Sequence, residues 1–194
     1  MMTGVDLRLP EWVEAACPEP GRRFPTPDAR MGVVLELARA TVEHRSGGPF
    51  AAAVFERETG TLVSVGVNLV VAARCSVAHA ELLALMFAQR LLGSHDLSAP
   101  GLPPHELVAS AEPCAMCLGA IPWSGVRRLL CGARDEDVRA IGFDEGTKPT
   151  DWAAALGADG IAVVRDVRRA EAAALLRDYR GRGGVIYNPS AGSR

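Results

Sequence analysis

The chain has 194 residues, a hydrophobic fraction of 48% and a formal net charge of −2. This length predicts one domain with terminal extensions, and the apolar content is enough for a sizeable core. The slight negative charge argues against a protein that holds nucleic acid on a strongly basic face, so a nucleic-acid partner is not expected. No apolar run reaches the length of a membrane-spanning helix, so no membrane partner is expected either.

Strands alternate with helices along most of the chain, after an opening hairpin. In chain order the predicted elements are a helix over 29–45 capped by Asp28, strands over 49–55 and 62–67, a helix over 77–92, a strand over 106–110, a helix over 114–121, strands over 126–131 and 161–164, and a helix over 168–180. This order predicts an α/β fold: a three-layer α/β/α sandwich around a mixed central sheet of about five strands.

Three regions follow from this pattern. Residues 1–28 are rich in proline and are predicted to form an irregular arm with one short turn. Residues 29–180 are predicted to form the main domain. Residues 181–194 are rich in glycine and polar side chains and are predicted to form a tail, interrupted by a short apolar stretch that ends at Tyr187.

Two short segments carry the candidate chemistry. One holds His79 and Glu81, and the other holds Cys114 and Cys117 directly after Pro113. One imidazole and two thiols at the start of helices are ligands that zinc prefers, and a fourth position is left for water. Because zinc lowers the pKa of bound water to about 7, hydroxide becomes available near neutral pH. Glu81, two residues past a ligand, is predicted to move protons rather than to bind metal.

The same residues have simpler interpretations. A lone Cys-x-x-Cys is often half of a structural zinc site, but the sequence offers no second such pair and no His-x-x-x-His. A redox pair would leave His79 and Glu81 without a role. The combination therefore favours a catalytic zinc site, with one Zn²⁺ per subunit. The remaining cysteines are expected to be reduced in a cytoplasmic setting, and His44, His95 and His105 are expected at the surface.

Together the segments match the His-x-Glu and Pro-Cys-x-x-Cys signature of zinc nucleobase deaminases. Over roughly residues 47–145 the chain resembles the cytidine-deaminase-like superfamily, and within it the guanine deaminase branch. The further matching segments are Gly47-Gly48-Pro49-Phe50, Asn68 after the second strand, Glu112-Pro113-Cys114-Ala115-Met116-Cys117, Ala120-Ile121-Pro122-Trp123 and Gly142-Phe143-Asp144-Glu145.

The resemblance implies roles for these residues. It implies that Asp144 or Glu145 assists Glu81 in proton transfer or in holding the base, with Asp144 as the preferred catalytic residue. It implies a substrate site whose members are Asn68 at the purine edge, Phe50 and Trp123 around the ring, the backbone N–H of Ala80, Glu145 and Tyr187. Tyr187 in this branch sometimes reaches the pocket of a partner subunit, and a homodimer is expected. Trp123 is equally well interpreted as a core or dimer-interface residue.

The predicted function is zinc-dependent hydrolytic deamination of a free heterocyclic base, a guanine-like purine or a triazine, with release of ammonia. A tRNA adenosine deaminase has the same core motifs and would need a basic C-terminal helix. The motifs also fit a cytosine or nucleoside deaminase. A catalytically silent zinc-binding module is disfavoured, because it would have no need of Glu81. The segment 73–77 and the region 148–194 depart from the branch, so the substrate stays open.

Overall fold

A mixed sheet of five strands organises the chain in the computed structural model, which describes residues 6–19 and 21–188. The strands are β1 (Ala51–Glu56), β2 (Leu62–Val67), β3 (His105–Ala111), β4 (Arg128–Ala133) and β5 (Ala162–Val164). The helices are α1 (Glu11–Ala16), α2 (Pro27–Glu43), α3 (Ala80–Leu92), α4 (Ala115–Ser124), α5 (Asp135–Ala140), α6 (Trp152–Ala158) and α7 (Arg169–Gly181). The predicted α/β class and the mixed five-stranded sheet are confirmed.

The spatial order of the strands is β2-β1-β3-β4-β5. Strand β1 pairs antiparallel with β2 and with β3, whereas β3, β4 and β5 run parallel to one another. All seven residues of β3 are buried, as expected for a central strand covered on both faces. Because β3 and β4 are parallel, their carboxyl ends lie at the same sheet edge, where open α/β sheets bind ligands.

Alternate residues of the strands pack into two separate cores, which makes the fold three-layered. Helices α2 and α7 cover one face of the sheet, with Phe55, Val108 and Leu130 among the strand residues beneath them. Helices α3, α4 and α6 cover the other face, over residues such as Leu107 and Leu129. Helix α3 lies very close to β2, since a Cβ on Gly66 would stand 2.1 Å from the carbonyl oxygen of Ala80.

A buried ion cluster fixes the first half of β3. The Glu106 carboxylate is fully buried and pairs with Arg30 of α2 and with Arg128 of β4. The Arg30 guanidinium also donates to the carbonyl oxygens of Phe24 at 2.7 Å and Arg57 at 3.1 Å. These bonds satisfy a charge that would be very unfavourable alone in the core, and they tie the N-terminal arm to the sheet.

Two helix starts differ from the prediction. The cap of α2 is Thr26 rather than Asp28: its Oγ1 accepts a hydrogen bond from the Ala29 N–H at 3.1 Å, and Pro27 takes the first helical position. Proline is suited to that position because its φ is already helical and it lacks an N–H. Helix α3 begins at Ala80 rather than at residue 77, because His79 has extended backbone (ψ 152°) and caps the helix.

Helix α6 and the burial of His105 were not predicted. Helix α6 is short and small-residue rich, and only Trp152 and Leu156, one turn apart, are buried. The expectation that His105 lies at the surface is wrong: it is the first residue of β3, fully buried, with Nδ1 2.9 Å from the carbonyl oxygen of Leu97. Among the described residues, none of the helices is long and apolar enough to cross a membrane.

Candidate metal and active site

The two motif segments meet at the edge of the sheet where β3 ends. His79 caps α3, Cys114 caps α4, and Cys117 lies in the first turn of α4. The Nδ1 atom of His79 is 3.5 Å from Cys114 Sγ and 3.6 Å from Cys117 Sγ. The three ligand atoms lie within 4.8 Å of one another, so they can reach one metal ion.

These distances fit zinc. In a tetrahedral site with Zn–N of about 2.0–2.1 Å and Zn–S of about 2.3 Å, the nitrogen and sulfur atoms are about 3.6 Å apart. The observed separations of 3.5 and 3.6 Å match that value. Two sulfur ligands and one imidazole also exclude the hard cations Mg²⁺ and Ca²⁺, which bind oxygen.

The two thiols influence each other. A hydrogen bond with Cys117 lowers the pKa of Cys114 to about 4, against the effect of burial and with the help of His79. The same contact with Cys114, together with burial, raises the pKa of Cys117. One sulfur is therefore readily a thiolate, and binding of a cation would release the proton from the other.

Two glutamates stand close to these ligands. Burial and the negative Cys114 sulfur raise the pKa of Glu81. Burial, and again Cys114, raise the pKa of Glu145 to about 8. Perturbed carboxyl groups in a cleft are typical of residues that exchange protons with a substrate.

Asp144 has a different setting from its neighbour Glu145. Its side chain is 43% exposed, and Oδ1 accepts a hydrogen bond from the Gly146 N–H at 2.9 Å and lies 3.6 Å from Arg139. The Glu145 residue is 8% exposed. The family resemblance favours Asp144 as the second catalytic carboxylate, whereas the buried, perturbed group in the structure is Glu145. The turn directs alternate side chains inward and outward, which the sequence did not reveal.

A cavity of about 530 Å³ opens over the metal ligands. Aromatic rings form part of its wall: Phe143 lies 5.1 Å from Phe50 and 5.0 Å from Tyr187 between ring centroids, both pairs edge to face. Its other lining residues include Asn68, His79, Glu81, Ser110, Glu112, Cys114, Asp144, Glu145 and Asn188. Apolar faces with a few directed polar groups suit a flat heterocycle.

The Asn68 amide has a fixed orientation. Its Oδ1 accepts hydrogen bonds from the N–H groups of Val70 at 3.2 Å and Gly48 at 3.4 Å. With the oxygen used in this way, the Nδ2 group is left to donate, and Asn68 lines the cavity. The amide therefore presents a donor to whatever fills the cavity.

The C-terminal tail folds back over the same cavity. The Asn188 side chain accepts from the Asp144 N–H at 2.8 Å and donates to the Gly142 carbonyl oxygen at 2.9 Å. The Tyr187 hydroxyl is buried without a hydrogen-bond partner among the described residues. It fits only because residue 48 is glycine, since a Cβ there would lie 2.3 Å from the hydroxyl oxygen. Tyr187 thus lines the cavity of its own chain.

Two predicted substrate contacts are not brought to this cavity. Trp123 is 85% exposed on α4 and does not line the cavity of its own chain, so its role as a ring contact stays a prediction. Ala80 is buried in the core between α3 and the sheet and is not among the lining residues either. The position of Trp123 follows from helix geometry, because this residue lies more than two turns beyond the cap at Cys114 and points away from the sheet.

Several lining residues had no predicted role, among them the polar residues Ser110, Glu112 and Asn188. Ser110 is near the end of β3, where its Oγ accepts from the Ala51 N–H at 3.2 Å. Glu112 is buried and pairs with Arg165 at 2.6 Å. Glu112 begins the motif that ends at Cys117, in which only the cysteines have an evident chemical role, and nothing local in the sequence points to Asn188.

Comparison with known proteins identifies the class of this site. The model of the cytidine and deoxycytidylate deaminase zinc-binding region matches residues 26–133, more than half of the chain. The chain belongs to that family, and it is a zinc-dependent hydrolytic deaminase. Its His79, Cys114 and Cys117 are positioned to hold one metal ion.

Individual relatives indicate which kind of deaminase this chain resembles. A guanine deaminase structure from Nitrosomonas europaea is 55% identical, over 93% of this chain and 98% of that chain, with a TM-score of 0.89. A solved complex with 2,6-diaminopurine is 56% identical, over 95% and 97% of the two chains, with a TM-score of 0.90. The guanine deaminase of Bacillus subtilis is 35% identical over 111 residues, which is 57% of this chain and 67% of that protein.

Replacement of Cys117 by serine should abolish stoichiometric zinc binding, because a neutral hydroxyl is a poor substitute for a thiolate. Zinc per chain, measured by atomic emission after dialysis against a weak chelator, should fall from one to near zero. Cys75→Ser is the matched control, since Cys75 is half-buried and does not line the cavity. Equal zinc content in both variants would contradict the assignment of the ligands.

Proposed function

We propose that this protein hydrolyses the amino group of a free guanine-like purine and releases ammonia. The observation that carries the proposal is the composition of the cavity: its wall combines aromatic rings, the Asn68 amide and buried carboxyl groups, and among the described residues no arginine or lysine lines it. A phosphate-bearing substrate would call for such a cation. The guanine deaminase from Nitrosomonas europaea and the solved complex with 2,6-diaminopurine support the same substrate class.

Each polar group has a role in this reaction. Bound zinc would supply Lewis acidity and a water molecule of lowered pKa at the open position. Glu81 takes one proton from the attacking water and gives it to the ring nitrogen. It then takes the second proton of that water and gives it to the departing amine, so that the carbon–nitrogen bond breaks and ammonia leaves. Asn68 donates from Nδ2 to an acceptor at the purine edge. Phe50, with the other rings, packs on the base and excludes water, which strengthens each of these interactions.

Glu145 is the second proton-handling group in this proposal. Because burial raises its pKa to about 8, its carboxyl group is largely protonated at neutral pH and can donate a hydrogen bond to the base or to the leaving amine. A neutral acid beside Glu81 also avoids two negative charges in one buried site. Asp144 then has a structural role, because its carboxylate accepts a hydrogen bond from the Gly146 N–H and stabilises the loop.

The tail is proposed to complete the active site. Of residues 181–194, the structure describes those up to 188, and Tyr187 and Asn188 line the cavity. The Tyr187 hydroxyl, which has no partner among the described residues, can donate to the substrate and accept from it. We also propose a cytoplasmic setting, supported by five cysteines without disulfides.

The ion pairs of several C-terminal arginines argue against a tRNA deaminase. Arg165, Arg168, Arg169 and Arg182 each pair with a carboxylate. A surface that grips phosphates needs cations that are not already neutralised. Arg177 and Arg180 of α7 form no ion pair among the described residues, so this neutralisation is partial and the cavity carries the preference for a free base.

Ammonia release from guanine, adenine, cytosine, ammeline, guanosine, cytidine and a tRNA anticodon stem-loop tests the substrate class. We expect turnover of guanine, with little on substrates that carry ribose or phosphate. Glu81→Gln should keep one zinc per chain and lose at least about a hundredfold in kcat, because only the proton transfer is removed. Turnover confined to the RNA would contradict the proposal, and full activity in Glu81→Gln would remove Glu81 from the mechanism.

The adjacent pair Glu145→Gln and Asp144→Asn tests which carboxylate acts. Both changes remove one ionisable group from the same loop and keep its shape. We expect Glu145→Gln to lower kcat for guanine by about a hundredfold or more, and Asp144→Asn to have a far smaller effect. Steady-state kinetics on the zinc-loaded variants measures the two losses of kcat. A larger loss in Asp144→Asn than in Glu145→Gln would identify Asp144 as the catalytic group.

We propose that the protein is a homodimer that uses exposed apolar residues of α3 and α4. Met116 and Trp123 are seven residues apart on one side of α4, and Met86 and Leu91 of α3 are also exposed. A tryptophan left 85% exposed in such a patch is typical of an interface.

Trp123→Glu should convert the dimer to a monomer, because a charge would have to be buried at the contact. Light scattering coupled to size exclusion should give twice the mass of one chain for the unchanged protein and one chain mass for the variant. Val164→Glu, at an exposed site on β5, is the control and should stay dimeric. A monomeric unchanged protein would contradict the proposal.

A further inference from the structure

Lys148 is unusual in this chain. Of the 21 lysine and arginine residues in the sequence, 20 are arginines and Lys148 is the single lysine. Its side chain is only 6% exposed. The Nζ atom donates to the Pro113 carbonyl oxygen at 2.8 Å and forms an ion pair with Asp135 Oδ1 at 2.5 Å. Lysine is strongly hydrated and rarely buried without a specific partner, so this placement calls for a reason.

The position of Pro113 supplies that reason, since the next residue is the metal ligand Cys114. On the other side of Cys114, the Ala115 N–H donates to the Glu145 carbonyl oxygen at 2.9 Å. Two bonds therefore join the cysteine segment to the loop 145–148, one before the ligand and one after it. The ligand and the candidate proton donor are carried on two segments held together by these two bonds.

The second partner of Lys148 is itself anchored. Asp135 begins α5, its N–H donates to Glu112 Oε2 at 3.1 Å, and its Oδ2 accepts from Arg139 at 2.5 Å. An ammonium held between a fixed carboxylate and a carbonyl oxygen has little freedom to move. Lys148 does not line the cavity, so it acts on the site only through the backbone it holds.

We propose that Lys148 is a positioning residue: it clamps the loop that carries Glu145 against the segment that carries Cys114, and so sets the separation of the metal ligands from the second carboxyl group. The inference rests on the proposed function for the role of Glu145, but the clamp on the ligand segment stands independently of the substrate. Loss of the clamp is therefore expected to affect metal retention as well as catalysis.

Lys148→Met, which keeps the length and removes the charge and the donors, tests the clamp. When residues that hold metal ligands in place from outside the coordination sphere are replaced, metal affinity or activity typically falls by about 10–100-fold. We expect the transfer of zinc to a chromogenic chelator to accelerate by about tenfold or more. We also expect kcat for guanine to decrease by about 10–100-fold. KM should change little, because Asn68 and the aromatic wall are untouched. Lys148→Arg should restore most of the loss, since a guanidinium also donates to a carbonyl and a carboxylate.

Arg169→Met is the matched control. Arg169 pairs with Asp137 and Glu136 on the α5–α7 surface, away from the cavity. It should leave both zinc transfer and kcat unchanged. If Lys148→Met does not fold, Lys148→Gln replaces it: the amide keeps a donor for the Pro113 carbonyl but loses the ion pair with Asp135, so zinc transfer should still accelerate, by less than about tenfold.

Unchanged zinc transfer in Lys148→Met would overturn the clamp, whatever the activity. Faster zinc transfer without any base turnover by the unchanged protein would uphold the clamp and contradict only the proposed function. A lower melting temperature with unaltered zinc transfer and kcat would show a merely structural lysine and overturn the inference.

Discussion

The convergence of two helix starts is the constraint on which the rest of this structure depends. His79 and Cys114 both have extended backbone, with ψ of 152° and 172°, and each caps the helix that follows. The first turns of α3 and α4 therefore direct their positive helix ends at one place, which favours thiolate and carboxylate there. The parallel pairing of β3 with β4 and the close approach of α3 to β2 bring the two starts together.

Charge is arranged in layers around this point. The cavity side carries Glu81, Glu145 and the Cys114 sulfur, all within a buried setting. The cations stand behind it: Arg165 pairs with Glu112, and Lys148 holds the Pro113 carbonyl. A thiolate and two carboxyl groups in front, cations behind the backbone and aromatic rings over the opening together suit a metal ion and, in the proposed function, a neutral base.

Local sequence patterns predicted the metal ligands, Glu81, and the order of strands and helices, because each depends on residues close in the chain. Features set by distant contacts were not predicted. The choice between Asp144 and Glu145 depends on which way a turn faces the core, and the place of Asn188 depends on a contact with residues more than forty positions earlier. The exposure of Trp123 was not predicted, because a helix face cannot be assigned without its neighbours. His105 was misjudged because β3 begins one residue earlier than the pattern indicates.

The ion cluster around Glu106 has a consequence for where the folding unit begins. Arg30 satisfies its guanidinium partly with carbonyl oxygens that precede α2, at Phe24 and Pro25. Val13 and Phe24 are themselves part of the core beside α2. A chain shortened to start at residue 29 would leave a buried guanidinium short of acceptors and uncover apolar surface. The described part of the proline-rich arm therefore contributes both hydrogen-bond acceptors and apolar side chains to the core of the domain.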